Sequence, residues 1–209
     1  MDYIFNNPAT VFELLLQHLF VVGVALLIAI LISFPISILI LRSPRLTTFV
    51  LGAFSVFYTI PSIALIILLI PLTGLNEWSV IIALILYVQV ILVRNNVAAF
   101  NGIDPAILEA ARGMGMNRWQ MWRRVQLPLA LPVMLAGIRI AAIVAIGIAT
   151  VGAKFNAGGL GRLLFDGIAQ TGRYDKIWAG AIAVTLLALA ANLALVALER
   201  HFSYTRKLS

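Results

Sequence analysis

The sequence predicts an all-α membrane protein with five transmembrane helices, its N-terminus outside and its C-terminus inside. Three observations carry this. First, 62% of the 209 residues are hydrophobic and 11% are charged, against roughly 45–50% and 25% in ordinary soluble proteins. A water-soluble globule of this size has too few charges to coat so much apolar surface. Second, the charges leave runs long enough to cross a hydrocarbon layer roughly 30 Å thick, which takes about 20 helical residues. Third, Lys and Arg fall unevenly on alternate loops. The same composition excludes a disordered chain. Without cysteine there can be no disulfide, thiolate metal site or cysteine nucleophile. His18 and His201 stand at opposite ends, so a histidine metal cage is not expected.

Leu19 to Leu41 carries no formal charge over 23 residues and predicts a first span at about 19–41. The uncharged stretch Leu46 to Asn76 holds a second at about 48–71, interrupted by Pro61 and Pro71. Trp78 to Val93 is only 16 residues long, but Arg94 can snorkel, so the third span extends over about 78–98. The fourth, 129–152, encloses one charge, Arg139, and the fifth covers 177–198. Lys154 to Lys176 holds six charges and five glycines, too polar and broken for a sixth. One set of loops then contains Arg42, Arg45, Arg94, Arg112, Arg118, Arg123, Arg124, Arg200, Arg206 and Lys207; the other contains only Lys154, Arg162, Arg173 and Lys176. Cytoplasmic loops are the richer in Lys and Arg, so the first set is inside. The net charge of +7 thus reads as an orientation signal and an attraction to anionic lipid. Nucleic-acid binding is not expected of basic residues scattered over three loops.

Residues 1–18 form an external amphipathic segment. It lacks the basic start of a cleavable signal peptide. Thr10-Val11-Phe12-Glu13 is an S/T-x-x-E capping box, which predicts a helix beginning there and running into the first span. Residues 201–209 form a cytoplasmic tail. No internal repeat and no linker to a second or fused binding domain is expected.

The stretch between spans three and four is too long for a simple connector. It reads as two short helices at about 104–126. Asp104 caps the first, Pro105 suits its first position, and Gly113 and Gly115 end it. Asn117 caps the second with Gln120 completing a capping-box variant, and Pro128 stops it. Ile107, Leu108, Ala110 and Ala111 present a small apolar surface beside Glu109 and Arg112; Trp119, Met121 and Trp122 share a face. Such a pair suits either a groove in another protein or the membrane surface, with the tryptophans at the headgroups.

The run Glu109-Ala110-Ala111, Gly115, Val125 and Leu127-Pro128 resembles the EAA signature of type I ABC-importer permeases. That resemblance implies coupling helices that dock on an ATPase subunit. The implied roles are docking for Glu109, Ala110 and Ala111 beside Arg112, a chain turn for Gly115, and closure against the next helix for Leu127 and Pro128. Nearly the whole chain is similar to the osmoprotectant branch, which imports glycine betaine, carnitine or choline. Thr59-Ile60-Pro61-Ser62, Asp104-Pro105, Gly113-Met114-Gly115-Met116, Ala136-Gly137-Ile138-Arg139 and Ala157-Gly158-Gly159-Leu160-Gly161 carry that likeness. Methionine- and other amino-acid-importer permeases share the plan and are the alternative.

Pro61 has no N–H to donate, so the carbonyl of Phe57 loses its helical partner and the second span bends. A discontinuous helix with freed carbonyls suits a cation pathway, and Tyr58, Thr59 and Ser62 add oxygens. Tyr58 stands where that branch often carries Gln; its ring can attract a quaternary ammonium. A packing kink compensated by Ser62 is the other reading. Gln89 is a second polar residue at membrane depth, an interhelical hydrogen-bond partner or a pathway ligand. Arg139, about ten residues into span four, reads as a structural or gating residue paired with carbonyls or a partner subunit. Asn192 reads as helix glue. Gly158, Gly159 and Gly161 permit tight turns, and the resemblance places them near an external gate.

No G-x-x-x-x-G-K-[ST] phosphate loop is present, so no ATPase activity or cofactor is expected of this chain. The resemblance implies two ATPase subunits that use ATP and Mg, a second permease copy or paralogue, and an extracytoplasmic substrate-binding protein in a bacterial inner membrane. Two other classes stand against this, a self-contained homo-oligomeric channel or scaffold and an intramembrane enzyme. The latter lacks paired carboxylates within the spans.

Overall fold

The computed structural model describes residues 2–204. Among them the chain is helical from end to end, with no strand. A short α1 (Asp2–Asn6) leads into α2 (Pro8–Ile40), followed by α3 (Pro44–Thr59), α4 (Ser62–Thr73) and α5 (Glu77–Asn101). Next come α6 (Pro105–Gly113), α7 (Arg118–Met121), α8 (Leu127–Gly152), α9 (Gly161–Ala169) and α10 (Tyr174–Tyr204). Four stretches are individually long and apolar enough to cross a membrane, and α3 with α4 makes up to a fifth if the bent pair counts as one span. Arg206 and Lys207 of the expected tail lie outside the described residues.

The helix around which the others assemble is α5. It packs against α2, α3, α4 and α8, and Ile81, Ala83, Leu84, Val88 and Val93 are fully enclosed. In lipid no hydrophobic drive holds helices together, so close approach through small residues must. Accordingly Ala25 and Ala29 on α2 and Ala141, Ala145 and Ala149 on α8, all one turn apart, are buried. At two points along the α5–α8 pair, Gly137 in the middle of α8 and Gly152 at its end, the approach is closer still. A Cβ on Gly137 would stand 2.5 Å from Asn95, and one on Gly152 would stand 2.5 Å from Val80. A polar seam adds to this between α2 and α5, where the Asn96 amide donates to Ser37 Oγ at 3.2 Å and Ser37 Oγ donates to the Ser33 carbonyl at 2.6 Å.

Three expectations about elements change. The helix does not start at the Thr10 capping box. Pro8 takes the first helical position after Asn7, because its fixed φ is already helical and its missing N–H is one the first turn would leave unpaired anyway. Thr10 therefore lies inside the helix. Second, Pro61 does more than kink its span. Ile60 and Pro61 are extended, and α3 and α4 diverge by 95°. Third, Pro128 does not stop the chain. A π-helical turn over Trp122–Gln126 carries α7 into α8, with the Leu127 N–H donating to the Trp122 carbonyl. The wider turn leaves room for the proline ring, which a regular α-turn would crowd.

Between α8 and α10 the polar stretch contains a 3-10 turn (Ala153–Phe155) and α9, at nine residues too short to span. Helix α9 is held by α10, where Gly167 and Gly180 leave no room for a side chain against Ile177 and Leu164.

Candidate functional site

The hairpin between α5 and α8 is assembled from local signals. Asp104 accepts from the Ala106 N–H at 2.9 Å and starts α6. Gly115, at φ +78, ends it in a left-handed turn: the Met116 N–H reaches the Ala111 carbonyl at 3.2 Å and the Gly115 N–H reaches that of Arg112 at 2.9 Å, a Schellman closure. Asn117 and Gln120 then exchange hydrogen bonds at 2.9 and 3.0 Å, a complete capping box. Trp119 stacks on Trp122 with centroids 5.2 Å apart, and Phe34 of α2 meets Trp122 edge-on. Glu109, Ala110, Arg112 and Gly115 are exposed along α6. Ala111 is not: at 1% exposure it packs inward and cannot share a docking surface, because its helical position faces the chain's own interior. Leu127 packs with Ala99, Ala130 and Met134 and closes the hairpin, while Pro128 is exposed in the first turn of α8. A cleft of about 620 Å³ lies between the two short helices, bounded by Arg112, Arg118, Trp122 and Gln126.

The break between α3 and α4 gathers Tyr58, Thr59, Pro61 and Ser62. Among the described residues no backbone N–H reaches the carbonyls of Tyr58 and Thr59 across it. Pro61 is the N-cap of α4 and offers no side-chain cap, and among the described residues the Ser62 hydroxyl makes no hydrogen bond that would compensate the break. Tyr87 of α5 does: its hydroxyl donates to the Ile60 carbonyl, and its ring lies 5.5 Å from that of Tyr58. Sequence reasoning missed Tyr87, which lies 27 residues from its partner with no local signal. Gln89 is 2% exposed and its amide donates to the Ala29 carbonyl of α2 at 3.3 Å. It is enclosed between α2 and α5, the contact expected of an interhelical hydrogen-bond partner. Asn192 is half-buried on α10.

The glycine run is docked on α2. Gly158 and Gly159 take positive φ, and a Cβ on Gly158 would stand 2.3 Å from Gln17 Oε1. That same oxygen accepts from the Gly159 N–H at 3.1 Å. Gly161 abuts the Thr150 carbonyl, which a Cβ would meet at 1.9 Å. Asn156 adopts the left-handed conformation that Asn tolerates, and Lys154 lies over the Phe165 ring. An open cleft of about 1010 Å³ adjoins the run, edged by Gln17, Phe20, Glu77, Arg162 and Asp166.

Arg139 finds its partner within the chain, against expectation. Its guanidinium lies 3.6 Å from the Glu199 carboxylate near the end of α10. An ion at membrane depth needs a countercharge, and α10 continues far enough past the apolar run to bring Glu199 level with it.

A long broken helix, a docked glycine run and a double-capped hairpin between two central helices make up the candidate site of a polytopic helical protein. The sequence matches the family of binding-protein-dependent transport system inner membrane components over residues 25–204, and the chain belongs to that family. It is 40% identical to a carnitine transport permease protein, OpuCB, of Listeria monocytogenes over 88% of this chain and 84% of that protein. An osmoprotectant import permease protein of Salmonella typhimurium, OsmW, is 40% identical over 90% of both chains. The Bacillus subtilis glycine betaine/carnitine/choline permease protein OpuCD is 37% identical over 98% of this chain and 90% of that one. Among solved structures, an inward-facing form of the MetNI methionine ABC transporter superposes with a TM-score of 0.80 at 22% identity, covering 92% of this chain and 96% of the other. An amino-acid ABC transporter solved with histidines gives 0.73 at 20%, covering 97% of each. The fold is that of ABC-importer permeases, and the protein is an inner-membrane component.

Proposed function

We propose that this chain is the permease subunit of an ATP-driven importer for osmoprotectants such as glycine betaine, carnitine or choline. The observation that supports the substrate class is the 37–40% identity to permeases named for such solutes along nearly the whole chain. The methionine alternative rests on fold likeness alone, at 22% identity. In this reading α3 and α4 together form one broken span. That gives five crossings, with the N-terminus and the glycine run outside and the α6–α7 hairpin inside.

The partners are two ATPase subunits, which use ATP and Mg, a second permease copy or paralogue, and a separate substrate-binding protein. Glu109, Ala110 and Arg112 dock on the ATPase, and the capped hairpin transmits its motion into α8. Tyr58, Thr59, Pro61 and Ser62 line the pathway, Gly158, Gly159 and Gly161 shape the outer gate, and Arg139 with Glu199 ties α8 to α10. Alternating access follows from opening one end of the pathway while the other is closed.

Reconstitution tests this. Proteoliposomes holding the permease, its ATPase and the binding protein should accumulate labelled glycine betaine, carnitine or choline only with ATP on the ATPase side. Glu109→Ala should lower import roughly tenfold or more while the purified ATPase keeps its own activity. ATP-independent uptake would sink the importer assignment in favour of a channel.

A further inference from the structure

We infer that the ring face of Tyr58, set in place by Tyr87, is the contact for the quaternary-ammonium group of the solute at the break between α3 and α4. This rests on the osmoprotectant reading and names the atoms of this chain that meet the cation.

Three observations converge. Tyr58 is 45% exposed, whereas Tyr87 is 8% exposed, and the rings are 5.5 Å apart at 52°. One ring is therefore presented and the other is packed beside it. Tyr87 is also tied at its far end, because its hydroxyl donates to the Ile60 carbonyl in the break itself. Its position thus fixes both the break and the Tyr58 ring. Finally, the C-terminal end of α3 carries the negative pole of the helix dipole, with the Tyr58 and Thr59 carbonyls free of backbone donors among the described residues.

The chemistry of the cation selects such a place. A trimethylammonium group has no N–H to donate, so it gains nothing from a hydrogen-bond acceptor pair. It is attracted instead by diffuse negative potential, which an aromatic face and carbonyl dipoles supply. No Asp or Glu occurs between Glu13 and Glu77, so no carboxylate on α3 or α4 competes. The absence of a full negative charge also suits passage, since a transported ion must be held weakly enough to leave. Tyr58 is then the contact and Tyr87 a positioning residue.

The test uses the reconstituted importer with saturating, glycine betaine-loaded binding protein, reading solute imported per ATP hydrolysed. Tyr58→Phe should keep that ratio within about twofold, whereas Tyr58→Leu should lower it roughly three- to tenfold, the range expected for loss of a cation–π contact. Tyr87→Phe, which keeps the ring but drops the bond to Ile60, should fall between them. Phenylalanines with one, two and three ring fluorines at position 58 keep the shape while draining the π face, and the ratio should fall stepwise. Tetramethylammonium chloride should show saturation transfer from the wild-type complex and not from Tyr58→Leu. A flat fluorine series, or import and hydrolysis falling together with an unchanged ratio, overturns the inference. A wild-type complex that imports no quaternary-ammonium solute overturns the osmoprotectant reading, and the inference with it.

Discussion

Gly161 approaches the Thr150 carbonyl so closely that a methyl group there would stand 1.9 Å from the oxygen. Backbone cannot yield as a flexible side chain can, so Gly161→Ala should lower the apparent melting temperature in detergent by roughly 5–10 °C. Gly23, in α2 with nothing within 4 Å of its missing Cβ, should accept Ala without loss, since Ala is the better helix former by about 1 kcal/mol. Equal effects at both positions would refute the docked glycine run. The Arg139–Glu199 pair gives a second expectation. Each side chain is a little over a quarter exposed, so removing one partner strands the other in a poorly solvated place. Arg139→Met and Glu199→Leu should each destabilise, and the double variant should be more stable than either. A double variant no better than the worse single one would mean that the ions do not interact.

At the scale of elements, helix starts were partly legible. Asp104 and Asn117 cap as the sequence suggests because a cap is satisfied within three residues of itself. Thr10 misled, since Pro8 two residues earlier offers a competing start. Asn117→Ala should speed amide exchange over 117–126 and cost about 1 kcal/mol locally, whereas Thr10→Ala should leave exchange in α2 unchanged. Hydrogen-exchange mass spectrometry reads both, and a reversed order would refute the assigned caps. The π-turn at Trp122–Gln126 had no local signature. It exists because Pro128 must be carried within a continuous helix, and only the packed neighbours decide whether a proline breaks or bends. The 95° break was legible as a bend at Pro61, but the hydroxyl bonded to the Ile60 carbonyl within it comes from Tyr87 of another helix.

For the whole molecule, the long apolar helices were readable because bilayer thickness calls for about 20 apolar residues, and charge marks their ends. The contacts that shape the site were not. Gln17 meets Gly159 across 142 residues, and no periodicity along the chain announces such a pairing. Topology remains an expectation that one experiment can check, and the cysteine-free sequence suits it. Leu75, Met114 and Tyr174 are all exposed. An impermeant thiol reagent applied to intact cells should label Leu75→Cys and Tyr174→Cys but reach Met114→Cys only after permeabilisation. Arg45, exposed at the start of α3, decides the crossing number: labelling of Arg45→Cys from the same side as Leu75→Cys would make α3–α4 a re-entrant loop and leave four crossings.

The two side-chain-free contacts on α8, Gly137 against Asn95 and Gly152 against Val80, fasten that helix to α5 near its middle and at its C-terminal end. Rods riveted at two points can neither slide nor scissor. In the proposed importer, a motion given to either helix must therefore carry both as one keel, and the flexing is left to the hinge at Ile60.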